Sequence, residues 1–205
     1  TVSGNNVARV FTINSGNLNA TLSGLTIANG NVAGSGSGLR NLGAGTVNVT
    51  NCAFNNNAST GGTPGGGVYH NSAGTLNITS STFSGNSAAA GGGFGTDAAG
   101  TVNITNCTFS GNTAGFGSAI NNGSGGGTIN LLNTTITGNT ANGLGGGGSL
   151  RRLSGTVNLK NTLVAGNTAT TNPDVDGTFT SQGNNLIGNT TGGTGFGGTD
   201  LLNVS

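Results

Sequence analysis

Cleavage of a glycosidic bond by hydrolysis uses two carboxyl groups about 5–9.5 Å apart, and this chain offers few candidates. Its only acids are Asp97, Asp174, Asp176 and Asp200, and it has no Glu. Asp97 stands alone and Asp200 sits in the terminal segment, so only Asp174 and Asp176 are close in sequence. A calcium loop gathers about six or more oxygens, several of them from carboxylates. The run Pro173-Asp174-Val175-Asp176 stops at two, which reads as a turn. A calcium-dependent lyase would also want basic residues opposite an acidic cluster, and that constellation is absent. The acid–base inventory argues against an enzyme acting on polysaccharides, so no catalytic residue, metal or cofactor is assigned.

Two other groupings could bind rather than react. The sole Tyr and sole His are adjacent, Tyr69-His70, at a repeat position filled elsewhere by Arg40-Asn41, Gly95-Thr96, Asn121-Asn122 and Arg151-Arg152. Arg40, Tyr69, His70, Arg151 and Arg152 therefore form a candidate shallow groove for a sugar or an anion, since aromatic faces and guanidinium forks suit such ligands. The competing reading is a permissive exposed position carrying scattered charges. A lone His offers no metal site. The second grouping is Thr46, Asn48 and Thr50, then Thr75, Asn77 and Thr79, then Thr101, Asn103 and Thr105. On stacked strands these make a flat Thr-x-Asn-x-Thr array, continued by Thr128 and Asn130 and interrupted by Leu132 and Lys160. Such weakly charged Thr arrays resemble those of ice-binding proteins, although Thr is also simply a good outward strand residue.

Both groupings depend on a repeat. Gly45-Thr46-Val47-Asn48-Val49-Thr50-Asn51-Cys52-Ala53-Phe54 returns at Gly74 to Phe83, at Gly100 to Phe109, at Gly127 to Ile136 and at Gly155 to Val164, with a looser copy at Leu18 to Ile27. A period of about 26 to 29 residues specifies a solenoid and is too short for a propeller blade. Val47 and Val49 alternate with Thr46, Asn48 and Thr50, giving a strand with one apolar face. A bend at Asn51, a short strand ending at Phe54, a Gly-Asn turn and a third strand marked by Leu39, Val68, Phe94, Ile120 and Leu150 complete one coil. The expected fold is all-β, a right-handed parallel β-helix with three short strands per coil and about seven coils. One domain spans 1–205: residues 1–17 form a first incomplete coil, 18–170 the regular coils and 171–205 shorter irregular ones.

Stacking equivalent positions predicts columns. Phe54, Phe83, Phe109, Ile136, Val164 and Leu186 form an interior stack, and Asn51, Asn106, Asn133 and Asn161 an amide ladder broken by Ser80. The recurring Gly-Asn dipeptides, from Gly85-Asn86 to Gly188-Asn189, read as corners that tolerate left-handed backbone. Cys52 and Cys107 share a position with Ser81 between them, so roughly two strand spacings, about 9.5 Å, separate them. Bridged Cα atoms are at most about 6.8 Å apart, which predicts two buried free thiols. Longer coils place extra residues at Ala58 to Pro64 and at Asn142 to Gly145, on one corner.

Charge and hydropathy remove further classes. A net charge of +1 with 4% charged residues argues against nucleic acid, and no apolar run reaches the length of a membrane span. The run Gly65 to Asn71, the Gly-Thr-Leu-Asn-Ile-Thr strands, Thr82-Phe83-Ser84-Gly85-Asn86 and the segment Pro173 to Asn189 together resemble parallel β-helix repeat regions of bacterial secreted and surface proteins. Relevant groups are the polymorphic outer-membrane protein repeats and the exported proteins with a CSLREA-type region. The resemblance covers the whole chain and implies export, with a surface or adhesive role. The expected location is thus extracellular or at the cell surface, as a mature piece of a longer protein. Neither end carries a charged or Pro-rich cap, so the expected partners are other copies stacked end to end, flanking domains, or glycans.

Overall fold

The computed structural model describes residues 1–14, 16–143 and 147–204. Among these residues no helix forms, and every strand pairs in parallel with its counterparts one coil away. One coil runs through Thr46–Thr50, Ala53–Asn55, Ala58–Ser59 and Val68–His70. Stacked coils turn these into sheets I, II, III and IV, of seven, nine, six and eight strands respectively. The chain is a parallel β-helix of about seven coils, as the repeat requires.

Sheet III is the element that the repeat pattern did not reveal. Its strands include Ser87–Ala90 and Thr113–Phe116, short and mostly half-buried runs of mainly small residues, Phe116 excepted, without apolar alternation. Nothing local marks them as strands. They pair because sheets I and II on one side and sheet IV on the other already hold the coils in register, with Ser87 opposite Thr113 and Ala88 opposite Ala114. Sheet I carries the stronger signal. Its five-residue strands alternate half-buried and buried, and pair like with like: Thr75 on Thr46, Leu76 on Val47, Ile78 on Val49.

The corners divide the Asn residues into two kinds. Asn51, Ser80, Asn106, Asn133 and Asn161 turn the chain from sheet I to sheet II with φ of 52°, 48°, 54°, 51° and 50°. They are exposed, and Asn is the non-glycine residue best suited to that backbone. On the exposed surface Asn133 Nδ2 donates to Asn106 Oδ1 and Asn161 Nδ2 to Asn133 Oδ1, both at 3.1 Å. The expected amide ladder thus forms over three of its members, and a deeper, buried amide column accompanies it. The deeper column lies at the next corner, where Gly85, Gly111, Gly138 and Gly166 supply the left-handed turn and the following Asn points inward.

There Asn57, Asn86, Asn112, Asn139 and Asn167 stack, the first four of them fully buried. Asn86 donates from Nδ2 to Asn112 Oδ1 at 2.9 Å and to the Phe54 carbonyl at 2.9 Å, while its backbone N–H reaches the same Asn112 Oδ1 at 3.1 Å. Each rung repeats that pattern: one Oδ1 accepts both the N–H and the Nδ2 of the Asn one coil earlier, while its own Nδ2 donates to a carbonyl of that same earlier coil and to the Oδ1 of the next Asn. The column starts at the Gly30 N–H and ends on Asp174, which accepts Asn167 N and Nδ2 at 3.1 and 2.8 Å. An acceptor-only side chain suits a column whose last member has nothing further to donate to. The dipeptide is thus half turn and half buried hydrogen-bond network, and Gly188-Asn189 lies outside this column.

Beside the amides runs the apolar column. Phe54, Phe83 and Phe109 stack with centroids 4.8 and 4.4 Å apart and planes within 2° and 5°. Ile136 and Val164 continue it, and Val164 then registers with Ile187 instead of the expected Leu186, because the shorter irregular coil shifts the frame by one residue. Cys52 and Cys107 are free and buried. Their column explains the residue choice: Cys52 Sγ, Ser81 Oγ, Cys107 Sγ, Thr134 Oγ1 and Thr162 Oγ1 each donate to the carbonyl two residues earlier. Burial pushes the Cys107 thiol up to about 11, so it stays protonated. The longer coils do leave the framework at one corner, after the sheet III strands Ala58–Ser59 and Thr140–Ala141. Leu144 and Gly145 of that expectation lie outside the described residues.

Replacing Asn112 by Ala would orphan the Asn86 N–H, one Asn86 Nδ2 bond and the Phe83 carbonyl in the interior. At about 1–3 kcal/mol per buried unsatisfied group, the expected loss is about 3 kcal/mol or more. Asn106→Ala, at an exposed left-handed corner, should cost only about 1–2 kcal/mol. Urea denaturation compares the two variants, and equal losses would remove the buried ladder as the main support.

Candidate functional site

Successive residues of a strand face opposite sides, and that alternation divides the five residues expected to share one groove. In sheet IV, Arg40, Tyr69, Gly95, Asn121 and Arg151 are aligned on the outward side. Asn41, His70, Thr96, Asn122 and Arg152 form the neighbouring column, which turns toward the corner with sheet I. His70 is fully buried there and faces no groove.

The outward column is itself covered. The Gly-rich segments between sheets III and IV fold back against it, and Gly65 adopts a φ of 70° there. A Cβ at Gly65 would come within 2.6 Å of the Tyr69 Cβ, and one at Gly95 within 3.0 Å of the Gly65 nitrogen. Backbone thus occupies the space in which a ligand was expected, leaving Tyr69 only 7% and Asn121 3% exposed. Gly65, Gly91 and Gly117 repeat that approach on successive coils.

Some polar groups of the column pair locally, whereas Arg40 Nε and Asn121 Oδ1 are buried without a partner among the described residues. Tyr69 donates its hydroxyl to Asp97 Oδ2 at 3.2 Å, and Asp97 Oδ1 accepts the Ser124 N–H at 3.2 Å. Burial first, and then the Asp97 charge, push the Tyr69 phenol up to about 12. Arg151 bonds through Nε to Asp176 Oδ2 at 3.2 Å and lies 4.8 Å over the Phe116 ring. Arg152 donates to the Gly155 carbonyl at 2.8 Å. Tyr69 and Arg151 stand three rungs apart, roughly 14 Å by strand spacing. The structure therefore keeps Arg40 beside Tyr69 but does not bring Arg151, Arg152 or His70 to them. Sequence reasoning missed Asp97 as the Tyr69 partner, Phe116 beneath Arg151, and Arg9. Arg9 donates to the Ser35 and Gly36 carbonyls from a segment outside the repeat, and only its charge marked it.

The remaining acids are also framework groups. Asp174 ends the amide column, and Asp200 Oδ1 accepts Asn185 N and Nδ2 at 2.9 and 3.0 Å. Asp174 and Asp176 thus serve different partners instead of converging on an ion. Among the described residues no three His, Cys or Asp side chains gather as metal ligands.

Sheet I presents the other expected array with its columns in register: Thr46, Thr75 and Thr101; Asn48, Asn77 and Asn103; Thr50, Thr79 and Thr105. Its amides are engaged with one another, since Asn77 donates to Asn48, Asn103 to Asn77, Asn130 to Asn103 and Asn158 to Asn130 at 2.7 to 2.9 Å. This locks the central column and leaves two columns of Thr hydroxyls facing solvent. Comparison with protein-family models, with curated proteins and with solved structures finds no match to this chain.

His70 carries a pH dependence. Asn41 accepts the Gly43 N–H on Oδ1, so its Nδ2 faces His70 Nδ1 at 3.0 Å as the donor. The ring proton therefore sits on Nε2, which faces the Gly74 carbonyl without a formed hydrogen bond. Burial, opposed only in part by that carbonyl, lowers the imidazole from 6.5 to about 4. Between those values the unfolded chain binds a proton that the folded chain does not, so stability rises with pH across this window. It is complete above about pH 6.5 and falls as pH drops to about 4. The loss is about 3 kcal/mol at about 1.4 kcal/mol per unit. His70→Asn, matching Asn41 and Asn122 of the same column, should flatten the pH dependence of the thermal midpoint between pH 6.5 and 4. An unchanged slope would remove His70 as its source.

Proposed function

We propose that this chain is a non-enzymatic, structural β-helix of the cell exterior that stacks end to end through its terminal coils. One observation carries the reading: sheet II is the first and last sheet of the chain, and its apolar column reaches both ends. Val2 registers with Ile27 and Ile27 with Phe54, and at the far end Ile187 registers with Leu202. Val2 and Leu202 are each 37% exposed. Of the other exposed large apolar side chains among the described residues, Val7, Leu201 and Val204 lie in the terminal coils, and Leu18 and Leu153 lie elsewhere. Setting Leu202 of one copy against Val2 of the next would continue the column and pair the edges of the two terminal strands. Such a head-to-tail contact does not close on itself and propagates as a filament. The use of all four carboxylates as framework acceptors supports a scaffold over a catalyst. The resemblance to exported β-helix repeats supports the external location.

The wild-type chain should form assemblies that lengthen with concentration in sedimentation velocity and electron microscopy. Val2→Lys and Leu202→Lys should each stop growth, yet the two variants mixed should form a dimer through their intact ends. A wild-type chain that stays monomeric at all concentrations overturns the reading.

The register of the two outward Thr columns favours a second reading, in which sheet I binds ice or another ordered surface. That reading expects thermal hysteresis and ice shaping by the wild-type chain, both reduced by Thr75→Lys; their absence at high concentration removes it.

A further inference from the structure

Arg9 and Arg40 lie against the same short loop, where the outer face of sheet IV approaches the first coil. Arg9 is anchored by Nε to the Gly36 carbonyl and by Nη2 to the Ser35 carbonyl, both at 3.1 Å. Gly36 also abuts Arg40: a Cβ on Gly36 would lie 2.9 Å from the Arg40 Cα and 3.0 Å from its Cβ. The same short loop therefore holds both side chains. Arg40 Nε is buried and has no hydrogen-bond partner among the described residues.

Among the described residues neither guanidinium has a carboxylate partner. Asp97, on the far side of Tyr69, is held by the Tyr69 hydroxyl and the Ser124 N–H, and Asp176 is held by Arg151. Placing two like charges on one loop raises the energy of both. Burial and the neighbouring Arg40 charge together lower the Arg9 pKa, consistent with that repulsion. Both side chains are only half-buried, so the site is open to solvent.

We propose that Arg9 and Arg40 form an oxyanion-binding site, taking a sulfate- or carboxylate-type group either as a free anion or on an acidic polysaccharide. Carbonyls fix Arg9 through Nε and Nη2, leaving Nη1 free, while the Arg40 fork is engaged by neither carbonyl nor carboxylate among the described residues. Planar donors of this kind recognise oxyanions in pairs of parallel hydrogen bonds. A bound anion would relieve the repulsion between the two charges. The site lies elsewhere than the sheet II edges, so it stands or falls independently of end-to-end assembly.

Titration of the ¹⁵N-labelled wild-type chain with sodium sulfate, against sodium chloride at equal ionic strength, should shift the Arg9 and Arg40 Nε–H signals saturably. The Arg151 and Arg152 signals should stay in place. Arg9→Gln should weaken sulfate binding at least tenfold, and Lys160→Gln, which removes the same charge from sheet I, should not. Dextran sulfate and polygalacturonate then separate the sources. Binding of either polymer, displaced by inorganic sulfate, assigns the site to an acidic glycan, whereas binding of sulfate alone assigns it to free anions. An Arg40 Nε–H signal that does not respond to sulfate, or equal losses in Arg9→Gln and Lys160→Gln, overturns the proposal. The wild-type titration needs no variant to fold.

Discussion

The buried amide column at the corner of sheets II and III is the constraint on which the rest depends. A parallel β-helix turns its chain sharply several times per coil, and every turn leaves backbone groups that the sheets cannot satisfy. At this corner one Asn per coil takes an N–H of the preceding coil through Oδ1, and through Nδ2 serves a carbonyl of that coil and the Asn of the next. Because each amide serves its neighbours, the column works only if the same side chain recurs at every coil. The period of the sequence is a consequence of that requirement. A buried, fully paired network of this kind is costly to interrupt. Its end on Asp174 shows the same logic, with a side chain that accepts and has no donor to place.

Self-complementarity extends from that corner to the remaining columns. Phe rings stack on Phe rings, Asn amides on the outer face of sheet I pair with Asn amides, and small hydroxyls or thiols return to their own strand's carbonyl. This explains a chain with so few charges. Like charges stacked about 4.8 Å apart would repel along the whole column, whereas amides and hydroxyls carry both donor and acceptor and stack without penalty. Charges occur where a column is interrupted or paired: Arg151 with Asp176, Asp97 beneath Tyr69, Lys160 at the rim of sheet I. Arg9 and Arg40 depart from the rule, which is why they stand apart from the framework.

How much of this was legible follows from where each signal resides. Sheet I and the Phe column were readable because alternation and repetition coincide over five residues, and the free thiols because the period fixes their separation. The buried Asn column was visible only as a Gly-Asn dipeptide, for which a turn is a sufficient local explanation. Asn106 and Asn112 are the same residue type in similar polar surroundings, and sequence does not say which one points inward. Leu186 and Ile187 were exchanged because the irregular coil changes length there. The groove of Arg40, Tyr69, His70, Arg151 and Arg152 rested on sharing a column, a relation that says nothing of what lies above the strand.

The sequence by itself determined that this chain coils with a period of about 26 to 29 residues, that its apolar positions stack inward, and that its two cysteines stay apart. Those features are periodic, and periodicity survives without coordinates. Tertiary structure alone decided the fourth sheet, the buried amide column and the closure of Gly-rich backbone over Tyr69 and Asn121. Each of these arises from contacts between successive coils, where an Asn, an Ala or a Gly takes its role from its neighbour on the next coil and not from its neighbours in the chain.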